Sequence, residues 1–147
     1  MSQGKSRFRT AVHALAVISY LEGEPATSDR IAASVATDAT VVRRLLALLR
    51  NSGLVSAAEG RNGGYHLARS ASRISLLDVY RAVAADELFP LPERRPHASC
   101  PVGRHIHRVL DAPLDAAHLA LERELAATTL ADVMHALATA NERGALS

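Results

Sequence analysis

Residues 40–67, TVVRRLLALLRNSGLVSAAEGRNGGYHL, decide how the chain can fold. In the first half of this stretch, apolar side chains recur three and four positions apart, as on one face of a helix. These residues are Val42, Leu45, Leu46 and Leu49. The opposite face is polar and basic, and Gly53 suits the left-handed conformation that ends many helices. The sequence therefore predicts a helix with a basic outer face.

The second half of the stretch has the pattern of a β-hairpin. Residues 54–58 and 65–68 read as two short strands, and the segment between them, EGRNGG, is rich in glycine. Helices predicted over residues 7–21 and 29–35 precede the basic helix, which Asp38 or Thr40 can cap. A basic helix followed at once by a glycine-tipped hairpin is typical of a winged helix-turn-helix. We therefore interpret this part of the chain as a DNA-binding unit.

The chain changes character after residue 85. Residues 86–101 are rich in proline and arginine and predict an irregular loop. Pro101 stands where a helix would begin. We expect that helix to bend or restart at Pro113 and to continue to about residue 126. A last helix should cover residues 130–141, with Gly144 closing it.

The helix after Pro101 carries one continuous apolar stripe. Its members are Leu110, Leu114, Ala117, Leu121 and Leu125. Such a stripe, beyond a finished small domain, needs a partner to cover it, and a second subunit is the obvious partner. The sequence thus predicts a mostly α protein in three parts. These are a winged helix-turn-helix with a two-stranded wing (1–85), a Pro-rich sensor loop (86–101) and dimerisation helices (102–147).

Composition agrees with a helical protein. Apolar residues make up 48% of the chain and aromatic residues 3%, so the core is built mainly from Leu, Val, Ile and Ala, and Ala and Leu favour helix. No run of 18 apolar residues is present, and the N-terminus lacks the apolar segment of a signal peptide. We expect no membrane span and a cytoplasmic location.

Positive charge is concentrated in the first half of the chain. Residues 1–70 contain nine Lys or Arg against five Asp or Glu, whereas residues 71–147 contain eight against ten. Sixteen of the 17 basic residues are arginines, the side chain that makes bidentate contacts with phosphate and guanine. Abundant Arg and Ala can also reflect genomic base composition alone.

Several motifs, in order along the chain, carry a resemblance to a known family. They are VVRRLLALLRNSGLV, GRNGGYHLA, ISLLDVYRAV, CPVG and TTLADV, after an N-terminal helix that follows a basic residue. The chain resembles the Rrf2 family of bacterial transcription regulators, to which IscR, NsrR and CymR belong. The resemblance implies a winged helix-turn-helix whose long C-terminal helix crosses its mate in a homodimer. It also implies binding to operator DNA, usually as a repressor.

The chain departs from that family at one important place. Well-known members bind an iron–sulfur cluster through three cysteines in the loop before the dimer helix, but this loop contains only Cys100. The positions about six residues to either side hold Arg94 and Ile106, and neither can supply a thiolate. We therefore expect no iron–sulfur cluster and no other cofactor. The chain resembles the cysteine-poor branch of the family.

Double-stranded operator DNA should be held through phosphate contacts and read through base edges. The predicted phosphate contacts are Lys5, Arg7, Arg9 and Ser28. The predicted base-reading residues are Thr40, Arg43, Arg44 and Ala47, on the exposed face of the third helix. Arg61 and Asn62 at the hairpin tip should follow the adjacent minor groove. The alternatives are a basic tail that is merely solvated, and an ion pair of Arg43 or Arg44 with Asp38 or Glu59.

Cys100 is the candidate for signal reception. It precedes Pro101 at a helix start, where the helix dipole and nearby positive charge favour a thiolate. Oxidation or alkylation of such a thiolate would strain the dimer helix. The alternative is that Cys100 is a small buried residue that packs the helix start.

A metal-responsive regulator is a further alternative. His97, Cys100, His105 and His107 are ligand types within eleven residues. Their spacing matches no tight pattern, and two of these histidines would lie on different sides of a helix, so solvated histidines are the simpler interpretation and no metal site is predicted.

A protein-interaction module, in which the winged helix binds another protein instead of DNA, is a second hypothesis, and the basic recognition face argues against it. An enzyme is excluded because no phosphate-binding loop, metal-ligand set or nucleophile–base pair is visible.

Overall fold

The computed structural model describes residues 3–84, 86 and 88–145, with side chains from residue 6 onward. These residues form six helices, two strands and one short 3-10 turn. The helices are α1 (Gln3–Tyr20), α2 (Ser28–Val35), α3 (Ala39–Asn51), α4 (Leu76–Val83), α5 (Pro101–Ala126) and α6 (Leu130–Ala145). The strands are β1 (Val55–Ala58) and β2 (Gly64–Leu67), and the 3-10 turn is Ala71–Arg73. The predicted class, mostly α with a two-stranded wing and a long helix near the C-terminus, is confirmed.

The helix-turn-helix consists of α2 and α3 packed on α1. Leu15, Ile31 and Leu46, one from each helix, are fully buried in its centre. Asp38 is the residue that caps α3, because its Oδ1 accepts a hydrogen bond of 2.6 Å from the Thr40 backbone N–H. This bond is the largest cause of a lowered Asp38 pKa, since hydrogen bonding to the carboxylate favours its charged form.

The wing is an antiparallel hairpin that a backbone hydrogen bond ties to the helical part of the unit. β1 pairs with β2 in the register Val55–Leu67 to Ala58–Gly64. The Tyr65 N–H donates to the Ala26 carbonyl at 2.9 Å, which ties β2 to the segment between α1 and α2. Gly64 lies so close to Ala26 that an added Cβ would be 3.0 Å from the Ala26 nitrogen. A glycine is therefore needed where the wing meets the helices.

The long helix α5 is continuous from Pro101 to Ala126 and contains Pro113. The expected restart at Pro113 is therefore wrong, and the loss of one hydrogen bond at this proline does not end the helix. None of the residues of α5 is buried in the single chain.

The last helix also differs from the prediction. α6 runs through Gly144 to Ala145 instead of ending near residue 141. Its start is held by a reciprocal cap, in which the Thr129 N–H donates to Asp132 and the Asp132 N–H donates to Thr129. The Leu130 N–H donates to the Ile74 carbonyl at 2.8 Å, and both of these side chains are fully buried.

Contacts divide the described residues into two compact units. One comprises those of residues 1–85 and 125–147, and the other those of residues 86–124. This division differs from the three predicted parts, because α6 groups with the winged helix-turn-helix. The physical cause is the backbone pairing between Ser75 and Thr129, together with the burial of Leu130. No helix of the described residues is long and apolar enough to cross a membrane.

Candidate nucleic-acid interface

The outer face of α3 is exposed along its whole length. Its inner face, Val42, Leu45, Leu46 and Leu49, is at most 3% exposed. The predicted base-reading residues Thr40, Arg43, Arg44 and Ala47 are all exposed. An amphipathic helix anchored in this way can offer its outer face to the major groove without disturbing the core.

Two apolar residues on this helix are exposed, and the sequence analysis did not predict their exposure. Val41 is 47% exposed and Leu48 is 36% exposed. Each is next in sequence to a residue of the buried face and is therefore rotated by about 100° around the helix axis from that residue. This rotation is the feature of the sequence from which their exposure could have been predicted. Exposed methyl groups on a recognition helix can contact the methyl group of thymine.

Arg43 is held loosely by a residue that the sequence did not indicate. Its Nη2 lies 4.0 Å from Oδ1 of Asp29 in the first turn of α2. The predicted partners were Asp38 or Glu59. The pKa of Asp38 is lowered mainly by its hydrogen bonds with Thr40, and the charge of Arg43 is a minor cause. The side chains of Arg43 and Asp29 are 55% and 83% exposed. An ion pair this exposed contributes little, so Arg43 can exchange it for a contact with DNA.

Arg44 is next to Arg43 but about 100° further round the helix. It is exposed and forms no ion pair within 4.0 Å with any residue whose side chain the structure describes. Its guanidinium is therefore available to a base edge or a phosphate.

The start of α2 places a backbone amide beside this surface. Thr27 caps the helix by accepting from the Arg30 N–H. Ser28 is the first residue of α2 and is half-buried. Amides in the first turn of a helix have no partner within the helix and can bind phosphate. Asp29 in the same turn adds a negative charge that opposes such binding.

The N-terminal arginines are part of a helix and not of a tail. Arg7 and Arg9 lie within α1 and are exposed. Lys5 also lies within α1, but its side chain is outside the described residues. The helix begins at Gln3 and orders the backbone of Arg7 and Arg9, in agreement with the first helix predicted from the sequence.

The wing tip presents Arg61 and Asn62 to solvent. Both residues are exposed in the turn between the strands. The Gly63 N–H donates to the Gly60 carbonyl at 2.9 Å, and Gly60 has a φ of +98°. This tight turn holds the two side chains at the end of a hairpin that is anchored at Ala26.

Cys100 is an exposed thiol at the start of α5. Its Sγ accepts a hydrogen bond of 3.4 Å from the Gly103 N–H. The sulfur therefore caps the start of α5 by accepting from one of the backbone N–H groups that have no partner within the helix. In the single chain Cys100 is not the buried packing residue of the alternative interpretation. Nε of Arg104 donates to the Ala98 carbonyl at 2.9 Å, so this nearby cation is engaged by the loop backbone.

The histidines near Cys100 do not form a metal site. No three His, Cys, Asp or Glu side chains among the described residues are grouped so that they could hold a metal ion. Nδ1 of His105 lies 3.1 Å from Nη2 of Arg108. Nε2 of His107 is closed off from water and has no hydrogen-bond partner within the part of the chain that is described.

The apolar stripe of α5 is open in the single chain. Leu110 is 39% exposed, Ala117 is exposed, and Leu114, Leu121 and Leu125 are half-buried. Val109 and Leu119 on the same helix are 65% and 51% exposed. An apolar surface of this extent on a helix with no buried residue is typical of an interaction site.

The chain is similar to known transcription regulators over nearly its whole length. The family model Rrf2, described as an iron-dependent transcriptional regulator, matches residues 5–136. YwnA of Bacillus subtilis (strain 168), provisionally classed as an HTH-type transcriptional regulator, is 41% identical over 133 residues, which cover 90% of this chain and 97% of YwnA.

Two solved structures show the same similarity. One, provisionally classed as a DNA-binding protein, is 36% identical with a TM-score of 0.71, over 87% of this chain and 98% of that chain. IscR of T. potens is 23% identical with a TM-score of 0.67, over 93% of this chain and 87% of that chain. At this level of identity, the likeness to IscR shows that the two chains share a fold and nothing further.

The description of the family implies iron, and the residues of this chain do not fit it. Iron–sulfur clusters are held by several thiolates, whereas the chain has a single cysteine. Among the described residues, no three His, Cys, Asp or Glu side chains are grouped so that they could hold an iron ion. Iron therefore has no part in the mechanism proposed for this chain.

Proposed function

The chain belongs to the Rrf2 family of transcriptional regulators, and from this premise we propose that it is a homodimeric repressor that binds operator DNA in the bacterial cytoplasm. The observation that carries the proposal is the outer face of α3, where two arginines and a threonine are exposed opposite a fully buried leucine face. A helix of this kind, following α2 and preceding a wing, enters the major groove in winged helix-turn-helix proteins.

Arg44 and Arg43 have different roles in this proposal. Arg44 reads guanine through its bidentate guanidinium. It is available for this contact because it forms no ion pair with any residue whose side chain the structure describes. Arg43 leaves Asp29 and binds either a base edge or a phosphate. Bases on either side of these arginines are contacted by Thr40 and Ala47 and by the two exposed apolar residues of α3.

The remaining predicted contacts position the protein on the DNA. Lys5, Arg7 and Arg9 of α1 and the amide of Ser28 bind phosphates, which carry no sequence information. Arg61 and Asn62 follow the adjacent minor groove. Because each of these cations releases counterions from the DNA, binding should weaken steeply as salt is raised.

A second copy of the chain covers the stripe of α5. The stripe would pack against the same stripe of the mate, because none of the residues of α5 is buried within one chain. Its members are Leu110, Leu114, Ala117, Leu121 and Leu125. Two recognition helices would then contact two half-sites of a palindromic operator. Occupation of that operator would block access of RNA polymerase to the promoter.

Cys100 is the proposed signal receiver. Its thiolate would attack an electrophilic carbon or an oxidant such as hydrogen peroxide, where the sulfur becomes a sulfenic acid and the peroxide is reduced to water. Either modification enlarges the sulfur that caps α5 and disturbs its bond with the Gly103 N–H. The start of the dimer helix would be strained as a result.

A gel shift on the promoter of the protein's own gene tests the proposal. Wild-type protein should bind, and Arg44→Ala should bind about tenfold or more weakly, the loss expected of one bidentate base contact. Arg73→Ala, which removes an exposed arginine from the 3-10 turn, is the matched control and should bind like wild type. Equal binding by Arg44→Ala and wild type would overturn the assignment of α3.

The same assay tests the thiol switch. Protein treated with peroxide or with N-ethylmaleimide should release the DNA, and Cys100→Ser should remain bound under both treatments. If treated wild-type protein stays bound, Cys100 has no part in signal reception.

A further inference from the structure

A groove of about 520 Å³ lies among α1, α2 and α6, within one compact unit of the chain. We propose that this groove is an effector site for an amphipathic carboxylate, a molecule with an apolar body and one anionic head. Its volume is within the range of about 300–1,000 Å³ that small-molecule sites occupy. The regulatory role of the site rests on the proposed DNA-binding function.

The walls of the groove are largely apolar. Val17 and Leu21 come from the end of α1 and the residue after it, and Met134, Leu137 and Ala138 come from α6. Leu137 remains 45% exposed although it faces this groove. An apolar ligand would remove these side chains from water, which is the favourable term in binding.

The polar residues of the groove favour an anion. Arg30 supplies a permanent positive charge, and the described residues that line the groove include no Asp or Glu. Ser34, His13 and Asn141 add hydrogen-bonding groups, and His13 Nε2 lies 3.0 Å from Ser34 Oγ. An apolar surface with a few convergent polar groups is the usual composition of a ligand site.

Arg30 can accept a carboxylate without leaving its present partners. Its Nη1 and Nη2 donate to Glu24 at 3.3 and 3.2 Å, and Nη1 also donates to the Pro25 carbonyl at 3.0 Å. A guanidinium has five N–H donors, so donors remain for a ligand. The pair with Glu24 is also exposed on both sides, 46% and 65%, and such pairs are easily exchanged.

The position of the groove connects it to DNA binding. Ser34 is near the end of α2, just before the turn into α3. A ligand held between α2 and α6 would contact the helix on which α3 packs. Binding that favours one placement of α2 shifts the population of operator-competent protein.

Met134 provides a direct probe, because the chain contains only one other methionine, Met1. Octanoate should shift the ¹³C-methyl resonance of Met134, and isothermal titration should give a dissociation constant at least tenfold lower for octanoate than for 1-octanol. Arg30→Gln should weaken octanoate binding about tenfold and leave 1-octanol unaffected. Equal binding of the two compounds, or no shift at Met134, would overturn the proposal.

Two tryptophan variants of α6 separate the groove from the rest of the helix. Ala138→Trp fills the groove from an exposed position and should abolish octanoate binding, whereas Ala136→Trp, also exposed but outside the lining, should not. Octanoate should also change the operator affinity of wild-type protein at least threefold, and not that of Ala138→Trp. An unchanged operator affinity would overturn the effector role, whereas a failure of ligand-free protein to bind DNA would overturn the proposed function instead.

Discussion

Arg43 on the outer face of α3 reaches back to Asp29 in the first turn of α2, with 4.0 Å between Nη2 and Oδ1. The carboxylate thus lies among the cations that are proposed to face DNA. It favours the start of α2 through the helix dipole, but it also repels phosphate and competes for Arg43. The position of Asp29 is therefore a compromise between helix stability and DNA affinity.

Asp29→Asn should strengthen binding to the operator. The change removes a negative charge from the interface and frees Arg43, so we expect a dissociation constant about threefold to tenfold lower at low salt. Arg43→Ala alone should weaken binding strongly without changing the melting temperature. In the double variant Asp29→Asn, Arg43→Ala, only the repulsion between Asp29 and phosphate is removed. Its gain in operator affinity over Arg43→Ala should therefore be smaller than the gain of Asp29→Asn over wild type. Weaker binding by Asp29→Asn in a salt-titrated gel shift would contradict this account.

Asp38 should make the stability of the α3 cap dependent on pH. The Thr40 backbone N–H, followed by the Thr40 side chain, lowers the pKa of Asp38 below its ordinary value of 3.8. A carboxyl group whose pKa is lowered in the folded state stabilises the fold at pH values above its ordinary pKa. This stability is lost as the pH falls through the pKa of the folded state.

Thermal melting of Asp38→Asn and Asp38→Ala checks this prediction. Asparagine is also a good N-cap, so Asp38→Asn should lose only the charge-dependent part. Its melting temperature should be below that of wild type at pH 7 and should approach it near pH 3. Asp38→Ala should melt lower at both pH values, and a constant gap between wild type and Asp38→Asn would show that the charge has no role.

Leu121→Glu should convert the protein to a monomer. The substitution places a charge in the stripe of α5, where a mate would have to bury it. Sedimentation should give a mass near 15.7 kDa for the variant and about twice that for wild type. Ala120→Glu, at an adjacent exposed position, is the control and should remain a dimer. A dimeric Leu121→Glu protein would place the interface elsewhere.

Gly63→Ala should distort the wing. An added Cβ would lie 2.6 Å from the Ala58 carbonyl oxygen and 2.7 Å from that of Gly60, so the tip would have to open. We expect operator affinity to fall about tenfold while the core remains folded. The control is Gly144→Ala, where nothing lies within 4 Å of the added Cβ and helix propensity predicts a gain of up to about 1 kcal/mol. Wild-type affinity in Gly63→Ala would show that the wing tip does not contact DNA.

Local chemistry explains why much of the fold could be predicted. The buried face of α3 follows from the spacing of Val42, Leu45, Leu46 and Leu49, and the left-handed Gly53, with a φ of +72°, follows from its place after that helix. The capping role of Asp38 was one of two options offered by the sequence. Each of these features depends on residues within a few positions of one another.

The tertiary structure alone decided which distant surfaces meet. The sequence did not show that Leu130 would be buried beside Ile74, that α6 would join the winged helix-turn-helix, or that Arg43 would face Asp29 instead of Asp38 or Glu59. Periodicity and caps act along one element, whereas these contacts depend on how separate elements pack. The sequence by itself thus determined the recognition helix and its wing, and packing determined the partner of Arg43 and the groove beside α6.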